Sequence, residues 1–366
     1  MTITSIDIYR LSIPMAPFTI ATGTMHFAQN LFIRIHTSEG LTGVGECSAF
    51  PMIAGETQDT CFVLAKDFAK IWKGKDAEEI EQRLQELDWY IVGNHTAKSA
   101  FDMALFDLAA KAKEVPLYQY LGGHYFEPES DITIGIDTPE KMAQGAKELV
   151  NHRQVQFLKV KLGKKPEEDI KRMYMISEAV GPDVKMRIDA NQGWDYEGAV
   201  LALTGMQDLN IQFCEQPMHK RLDERMASLR RISKIPIMAD ESVFDHYDAI
   251  RLIKHKSCDY INIKLSKAGG IQEALKIHDV CAEAEIPNML GGMLESRLAL
   301  SAKVHLALAC PNIRFYDLDT CLLGHYEDPV VGGVVFDNMK LKISDAHGIG
   351  ADMDDAWLQH CEKVTV

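Results

Sequence analysis

Apolar and polar positions follow two rhythms along the chain, and the change between them marks where one kind of architecture gives way to another. From Ile3 to about Glu46 they alternate, as in Leu31-Phe32-Ile33-Arg34-Ile35, and turn at Ser38-Glu39-Gly40. A period of two sends successive side chains to opposite faces, so this stretch predicts a half-buried antiparallel meander. Pro17 to Thr24 reads as an uncharged loop between its strands, and Ser48 to Thr57 as a second loop. Helical periods follow over about Thr57–Trp72, Ala77–Tyr90 and Thr96–Lys113; in the last, Phe101, Leu105, Leu108 and Ala112 form a stripe that needs a partner surface. Strands followed by helices predict an α+β domain over residues 1–125, stopped by Leu121-Gly122-Gly123.

From Ile132 onward short apolar runs alternate with helical ones. Starts near Ile132, Phe157, Val184, Ile211, Pro236, Tyr260, Pro287 and Arg314 predict eight strands. Thr138 with Pro139, and Pro166 with Gly181, supply helix starts and a stop between them. Parallel strands with right-handed helical crossovers close into a barrel, so the class is α/β, with a (β/α) barrel over residues 126–320. Residues 321–366 are expected to pack back on the first domain.

Ionisable residues close five successive strands. Lys161, Asp189, Glu215, Asp240 and Lys264 stand 28, 26, 25 and 24 residues apart, each step a strand, a crossover helix and two loops. Catalytic groups of such barrels sit at the C-terminal ends of strands, so the five share one mouth. Taken singly, each carboxylate is as consistent with a helix cap or an ion pair. Three converging carboxylates, however, repel one another unless a cation sits between them. An all-oxygen set without His or Cys suits one hard divalent ion, Mg²⁺ before Mn²⁺. Lys161 and Lys264 would flank it, and beside a cation, Lys159 and a dry cavity their pKa is expected to fall toward neutrality. Two facing bases with a Lewis acid suit removal of a proton α to a carboxylate and its return to the other face.

A net charge of −14 argues against nucleic-acid and anionic-membrane partners. Eight scattered cysteines without a Cys-x-x-Cys pair fit reduced thiols better than disulfides or zinc. No apolar run reaches membrane-spanning length and the N-terminus lacks signal-peptide features, which predicts a cytoplasmic protein. Zincin, Walker, dinucleotide-binding and serine-hydrolase motifs are all missing. The assembly state, monomer or homo-oligomer, stays open.

The chain resembles the enolase superfamily, muconate-lactonising-enzyme subgroup, over essentially its full length. The resemblance rests on Lys159-x-Lys161, Asp189-Ala190-Asn191, Glu215-Gln216-Pro217, Asp240-Glu241-Ser242, Lys264 with Lys267-Ala268-Gly269-Gly270, and the helix Ala100 to Leu108. It implies a modified TIM (β/α) barrel under an α+β capping domain built from both termini, which closes two loops over the mouth. Within the subgroup, Asp317-Leu318-Asp319 is similar to dipeptide epimerases. That similarity implies that Asp317 and Asp319 receive the α-ammonium group of a small dipeptide. It also implies that Thr133, Lys159 and Gly292-Met293-Leu294 line the substrate, with Lys159 near the carboxylate. Relatives acting on Ala-Glu carry a basic residue in the first capping loop, whereas Ala21-Thr22-Gly23-Thr24 has none. An unpaired substrate carboxylate is costly to bury. The implied substrate is therefore Ala-X with X small or apolar, such as D-Ala-D/L-Ala, in a pocket of Phe18, Ile20, Met25 and Phe27. N-acylamino-acid racemisation, o-succinylbenzoate synthesis and muconate cycloisomerisation remain alternatives within the superfamily. A Schiff-base aldolase or a non-catalytic metal-binding barrel remain alternatives outside it.

Overall fold

The computed structural model describes residues 1–366. Strands β1 (Ile3–Ile20), β2 (Gly23–Thr37) and β3 (Thr42–Ser48) form an antiparallel meander, and the segment Lys363–Thr365 pairs with the free edge of β1. The expected loop from Pro17 to Thr24 is instead the end of a long hairpin: Phe18 faces Met25, Thr19 faces Thr24 and Ile20 faces Gly23, leaving Ala21 and Thr22 as the turn. Its residues are aromatic, β-branched or small, so they continue the pairing beyond the irregularity between Pro14 and Phe18.

Helices Gln58–Trp72, Ile80–Tyr90 and His95–Ala112 follow. The first is opened by Thr57, which exchanges capping hydrogen bonds with Thr60. The third departs from the single apolar stripe expected of it, because every residue from Thr96 to Leu108 is buried, while Ala112 is exposed. β3 covers one side of this helix and the barrel segments Leu265–Ala268 and Ile271–Glu283 cover the other. Gly45 makes the first contact possible, since a Cβ there would lie 1.9 Å from the Ala100 carbonyl oxygen.

Eight parallel strands then run in chain order around one sheet: β4 (Ile132–Ile134), β5 (Phe157–Lys161), β6 (Lys185–Asp189), β7 (Ile211–Glu215), β8 (Ile237–Ala239), β9 (Tyr260–Ile263), β10 (Asn288–Gly291) and β11 (Ile313–Asp317). The Asp131 amide donates to the Tyr316 carbonyl at 3.1 Å, bringing the last strand against the first. The result is an α/β barrel with a separate antiparallel cap.

Buried carboxylates fasten the cap to the barrel by satisfying backbone amides that a helix start leaves unpaired. Asp102 accepts from the Ile271 and Gln272 amides at the start of Ile271–Glu283. Glu46 accepts from the Ser296 and Ala299 amides at the start of Arg297–Ala309. Both positions favour negative charge through the helix dipole. Gly270, at φ 130°, admits the Asp102 carboxyl group; a Cβ there would lie 2.1 Å from its Cγ.

His305 joins three parts of the chain. Its Nδ1 accepts from the Tyr118 amide at 3.1 Å, so Nε2 carries the proton and donates to the Ile349 carbonyl at 3.1 Å. Burial lowers its pKa from 6.5 to about 4. The unfolded chain therefore takes up a proton that the folded one refuses, and the stability present above pH 6.5 is lost as pH falls toward 4. At about 1.4 kcal/mol per pH unit the loss reaches about 3 kcal/mol. We expect urea unfolding midpoints to fall across that window, and His305→Gln, which keeps a donor and an acceptor, to flatten the fall.

Candidate active site

Alternation along the barrel strands sends every second side chain inward. The deeper layer is largely apolar: Phe213, Met238 and Met289 pack together with Tyr260 and Phe315. One cation is built into it. The Arg187 guanidinium lies 4.8, 5.6 and 5.3 Å from the ring centres of Phe157, Phe213 and Phe315 and pairs with Asp131 at 2.8 Å. Above this floor the strand ends are almost entirely ionic.

Carboxylate oxygens of Asp189, Glu215 and Asp240 lie within 4.8 Å of one another, and all three residues are buried. Lys161 Nζ stands 2.6 Å from Asp189 Oδ2, and Lys264 Nζ stands 2.8 Å from Asp240 Oδ2. β5 and β9 are four staves apart in a barrel of eight, so the two ammonium groups approach the trio from opposite sides of the axis. Lys159, one inward step deeper on β5, reaches across the mouth to Glu215 Oε2 at 2.6 Å and to Asp317 Oδ2 at 2.6 Å. It links the trio to the far wall.

That far wall is a second acidic group, in which oxygens of Asp131, Asp317 and Asp319 lie within 4.8 Å of one another. Asp319 follows the end of β11, and its Oδ2 accepts from the Thr133 amide at 2.6 Å. Asp131 was not singled out from the sequence, although it stands two residues before Thr133 and so shares its inward face. The same rule would have found Asn262, two residues before Lys264, whose amide nitrogen donates to Glu215 Oε1 at 2.7 Å. Lys267 pairs with Asp240 Oδ1 at 2.6 Å and also donates to the Asp240, Val243 and Asn262 carbonyls.

Gly292, Met293 and Leu294 follow the C-terminal end of β10, and the Leu294 amide donates to Ser48 Oγ of the cap at 3.1 Å. The hairpin tip also reaches the barrel: the Ile136 amide donates to the Thr19 carbonyl at 2.9 Å, and Lys164 Nζ to the Ala21 carbonyl at 2.7 Å. Ile20 is buried and Phe18 and Met25 pack partly buried on the core, but Phe27 is 51% exposed. It sits on β2 opposite Pro14, well below the turn.

Charge decides what this arrangement can hold. Seven buried acids (Asp131, Asp189, Glu215, Asp240, Glu241, Asp317 and Asp319) face five buried cations (Lys159, Lys161, Arg187, Lys264 and Lys267). Acids therefore outnumber cations, and the balance is met by protonation unless a further cation enters. Lysine ammonium groups hold the remaining trio oxygens: Lys159 lies 2.6 Å from Glu215 Oε2, Lys267 2.6 Å from Asp240 Oδ1 and Lys264 2.8 Å from Asp240 Oδ2, so an all-oxygen donor set stands where a hard cation would sit among amines. Burial and Asp189 push Glu215 up to about 8, while Asp240, despite its burial, is held far below the usual carboxylate range by Lys264 and Lys267. Burial and the adjacent Asp317 push Asp319 well above that range. Among the protein groups alone, burial lowers the pKa of Lys264 while Asp240 and Glu215 raise it further, so the ammonium form is favoured until a cation takes those carboxylates.

Asn262 fixes one oxygen of a candidate metal ligand, and removing such a partner commonly costs 10–100-fold in metal affinity. Asn262→Ala is expected to weaken Mg²⁺ binding, measured by titration calorimetry, by about that factor.

All eight cysteines are free, and no helix is long and apolar enough to cross a membrane. Residues 3–122 match the mandelate racemase / muconate lactonizing enzyme N-terminal domain, and residues 141–357 match the enolase C-terminal domain-like family. The D-Ala-D/L-Ala epimerase of Cytophaga hutchinsonii is 40% identical over 369 residues, covering 100% of both chains. A hydrophobic dipeptide epimerase of Enterococcus faecalis is 41% identical, covering 91% of this chain and 94% of its own. The crystal structure of the Cytophaga hutchinsonii dipeptide epimerase, complexed with Mg and D-Ala-L-Val, superposes with a TM-score of 0.98 at 40% identity over 100% of both chains.

Proposed function

The chain belongs to the enolase superfamily, with a mandelate racemase / muconate lactonizing enzyme N-terminal domain, and from that membership we propose that it is an isomerase that epimerises dipeptides at the α-carbon of the C-terminal residue. The observation that carries this reading is the pair of lysines, Lys161 and Lys264, on opposite sides of one acidic trio. A carbon held between them loses its proton to one amine and regains a proton from the other, through an enediolate of the substrate. Inversion follows from the geometry alone.

Asp189, Glu215 and Asp240 are the residues to hold a divalent ion, Mg²⁺ before Mn²⁺. When bound, it supplies the positive charge that makes a proton α to a carboxylate removable. Bound there, it would replace protons that the crowded acids otherwise hold. Asp317 and Asp319, on the wall opposite the trio, take the α-ammonium group through charge-assisted hydrogen bonds. Two residues span at most roughly 7 Å, so one dipeptide reaches from the trio to that wall with its C-terminal α-carbon between the lysines. Lys159, already shared between Glu215 and Asp317, lies beneath it, and Thr133 and Gly292 to Leu294 border it.

For the residue X we infer a small or hydrophobic side chain after Ala, as in D-Ala-D/L-Ala. The hairpin tip above the mouth offers Ile20, Phe18 and Met25 and carries no basic side chain from Pro17 to Thr24. The Cytophaga hutchinsonii and Enterococcus faecalis relatives, a D-Ala-D/L-Ala epimerase and a hydrophobic dipeptide epimerase, support the same class. The division into a cap over 1–125, a barrel over 126–320 and a returning segment over 321–366 is proposed with it, supported by the pairing of Lys363–Thr365 with β1.

Incubation with Ala-X dipeptides in heavy water is expected to exchange the C-terminal α-proton, read by mass spectrometry. Lys161→Ala and Lys264→Ala should each abolish epimerisation; exchange that survives loss of both lysines would sink the mechanism. Replacing Asp317 and Asp319 together by Asn should raise KM for free dipeptides about 10–100-fold, the scale of one or two charged hydrogen bonds. N-acylated substrates, which carry no ammonium group, should be unaffected.

A further inference from the structure

A buried ion pair outside the constellation described above governs the wall against which Lys264 rests. Gly291, the last residue of β10, lies so close to β9 that a Cβ on it would stand 2.9 Å from Lys264 Cε and 2.5 Å from Asn262 Oδ1. The Gly291 main chain is therefore the surface that stops the Lys264 side chain on that side. What holds this main chain is Lys303, on the helix Arg297–Ala309: its Nζ donates to the Gly291 carbonyl at 2.9 Å and pairs with Glu295 Oε1. Glu295 in turn accepts the Met293 amide through Oε2 at 2.5 Å, while its own carbonyl accepts from Thr320 Oγ1 at 3.1 Å. Both side chains are all but inaccessible, 1% and 2% exposed.

We propose that Lys303 and Glu295 are positioning residues for Lys264: they hold the Gly291 to Met293 backbone in the one place that leaves the Lys264 amine aimed at the substrate carbon. Neither touches the trio or the far acidic wall. Their buried charges are compensated by each other and by main-chain groups, so the pair contributes geometry rather than net charge to the mouth. On the opposite side Lys161 stands on β5 and shares none of these contacts.

The inference rests on the reading of Lys161 and Lys264 as the two facing bases, and it makes a one-sided prediction. Deuterium incorporation into the C-terminal α-carbon is measured separately from each epimer of one Ala-X dipeptide, for the wild type, Lys264→Ala and Lys303→Met. Lys264→Ala identifies the epimer whose proton Lys264 removes. Lys303→Met should slow exchange from that epimer at least tenfold and leave exchange from the other within about twofold. Because Lys303→Met leaves an unpaired buried carboxylate, the double variant Lys303→Met/Glu295→Gln, neutral and still able to accept from Met293, is measured beside it and should show the same asymmetry. Equal slowing from both epimers, or no slowing from either, in the folded double variant overturns the positioning role. If Lys264→Ala itself slows neither epimer, the two-base reading fails instead, and the two failures are told apart.

Discussion

Burying many like charges in one barrel mouth is possible only if each lies within reach of an opposite charge on a rigid element. Taking an ion out of water is costly, and the cost is offset only where partners are already in place. The eight strands meet that demand. Their period of two brings lysines, carboxylates and one arginine to the same face, and the packed aromatic layer beneath keeps Arg187 and Asp131 from moving. Adjacent staves then give three neighbouring acids, while staves four apart give two opposed amines. The arrangement is a product of barrel geometry as much as of side-chain choice.

A related device joins the cap to the barrel. Glu46 and Asp102 are carboxylates buried without a lysine or arginine beside them, and each is answered by the first amides of a barrel helix. Hydrogen bonds to helix starts are directional, so they specify one orientation of the cap where an apolar contact would tolerate several. Glu46 extends this control toward the mouth: it accepts from Asn30, which also donates to the Leu294 carbonyl. The loop beside the trio is consequently shaped from both sides.

Much of the architecture was legible because each barrel strand is a short apolar run closed by an ionisable residue or a turn. The eight observed strands begin within one residue of the expected starts. The hairpin tip has no charge to mark alternation and contains Pro17, so its sequence pattern is that of a loop. The helix His95–Ala112 was read as one-sided because a stripe of large residues dominates its pattern; Ala97, Ala100 and Ala104, small enough to admit β3, carried the sign of a second buried face. Lys303 escaped notice for the opposite reason. On a helix rich in leucine and alanine a lysine reads as reaching out to solvent, and only the packed fold shows it pointing inward. Nor does spacing alone contain the distances that fix a lysine's proton affinity, such as the 2.8 Å from Lys264 to Asp240.

The bonds that seat the hairpin tip on the barrel end on carbonyl oxygens, those of Thr19 and Ala21. Every residue type carries such an oxygen, so exchange of the side chains at the tip leaves these two bonds available. Under the proposed role of the tip, selectivity and chemistry would be inherited separately: drift at a few hairpin positions would change what enters the barrel while the ionic groups below descend unaltered.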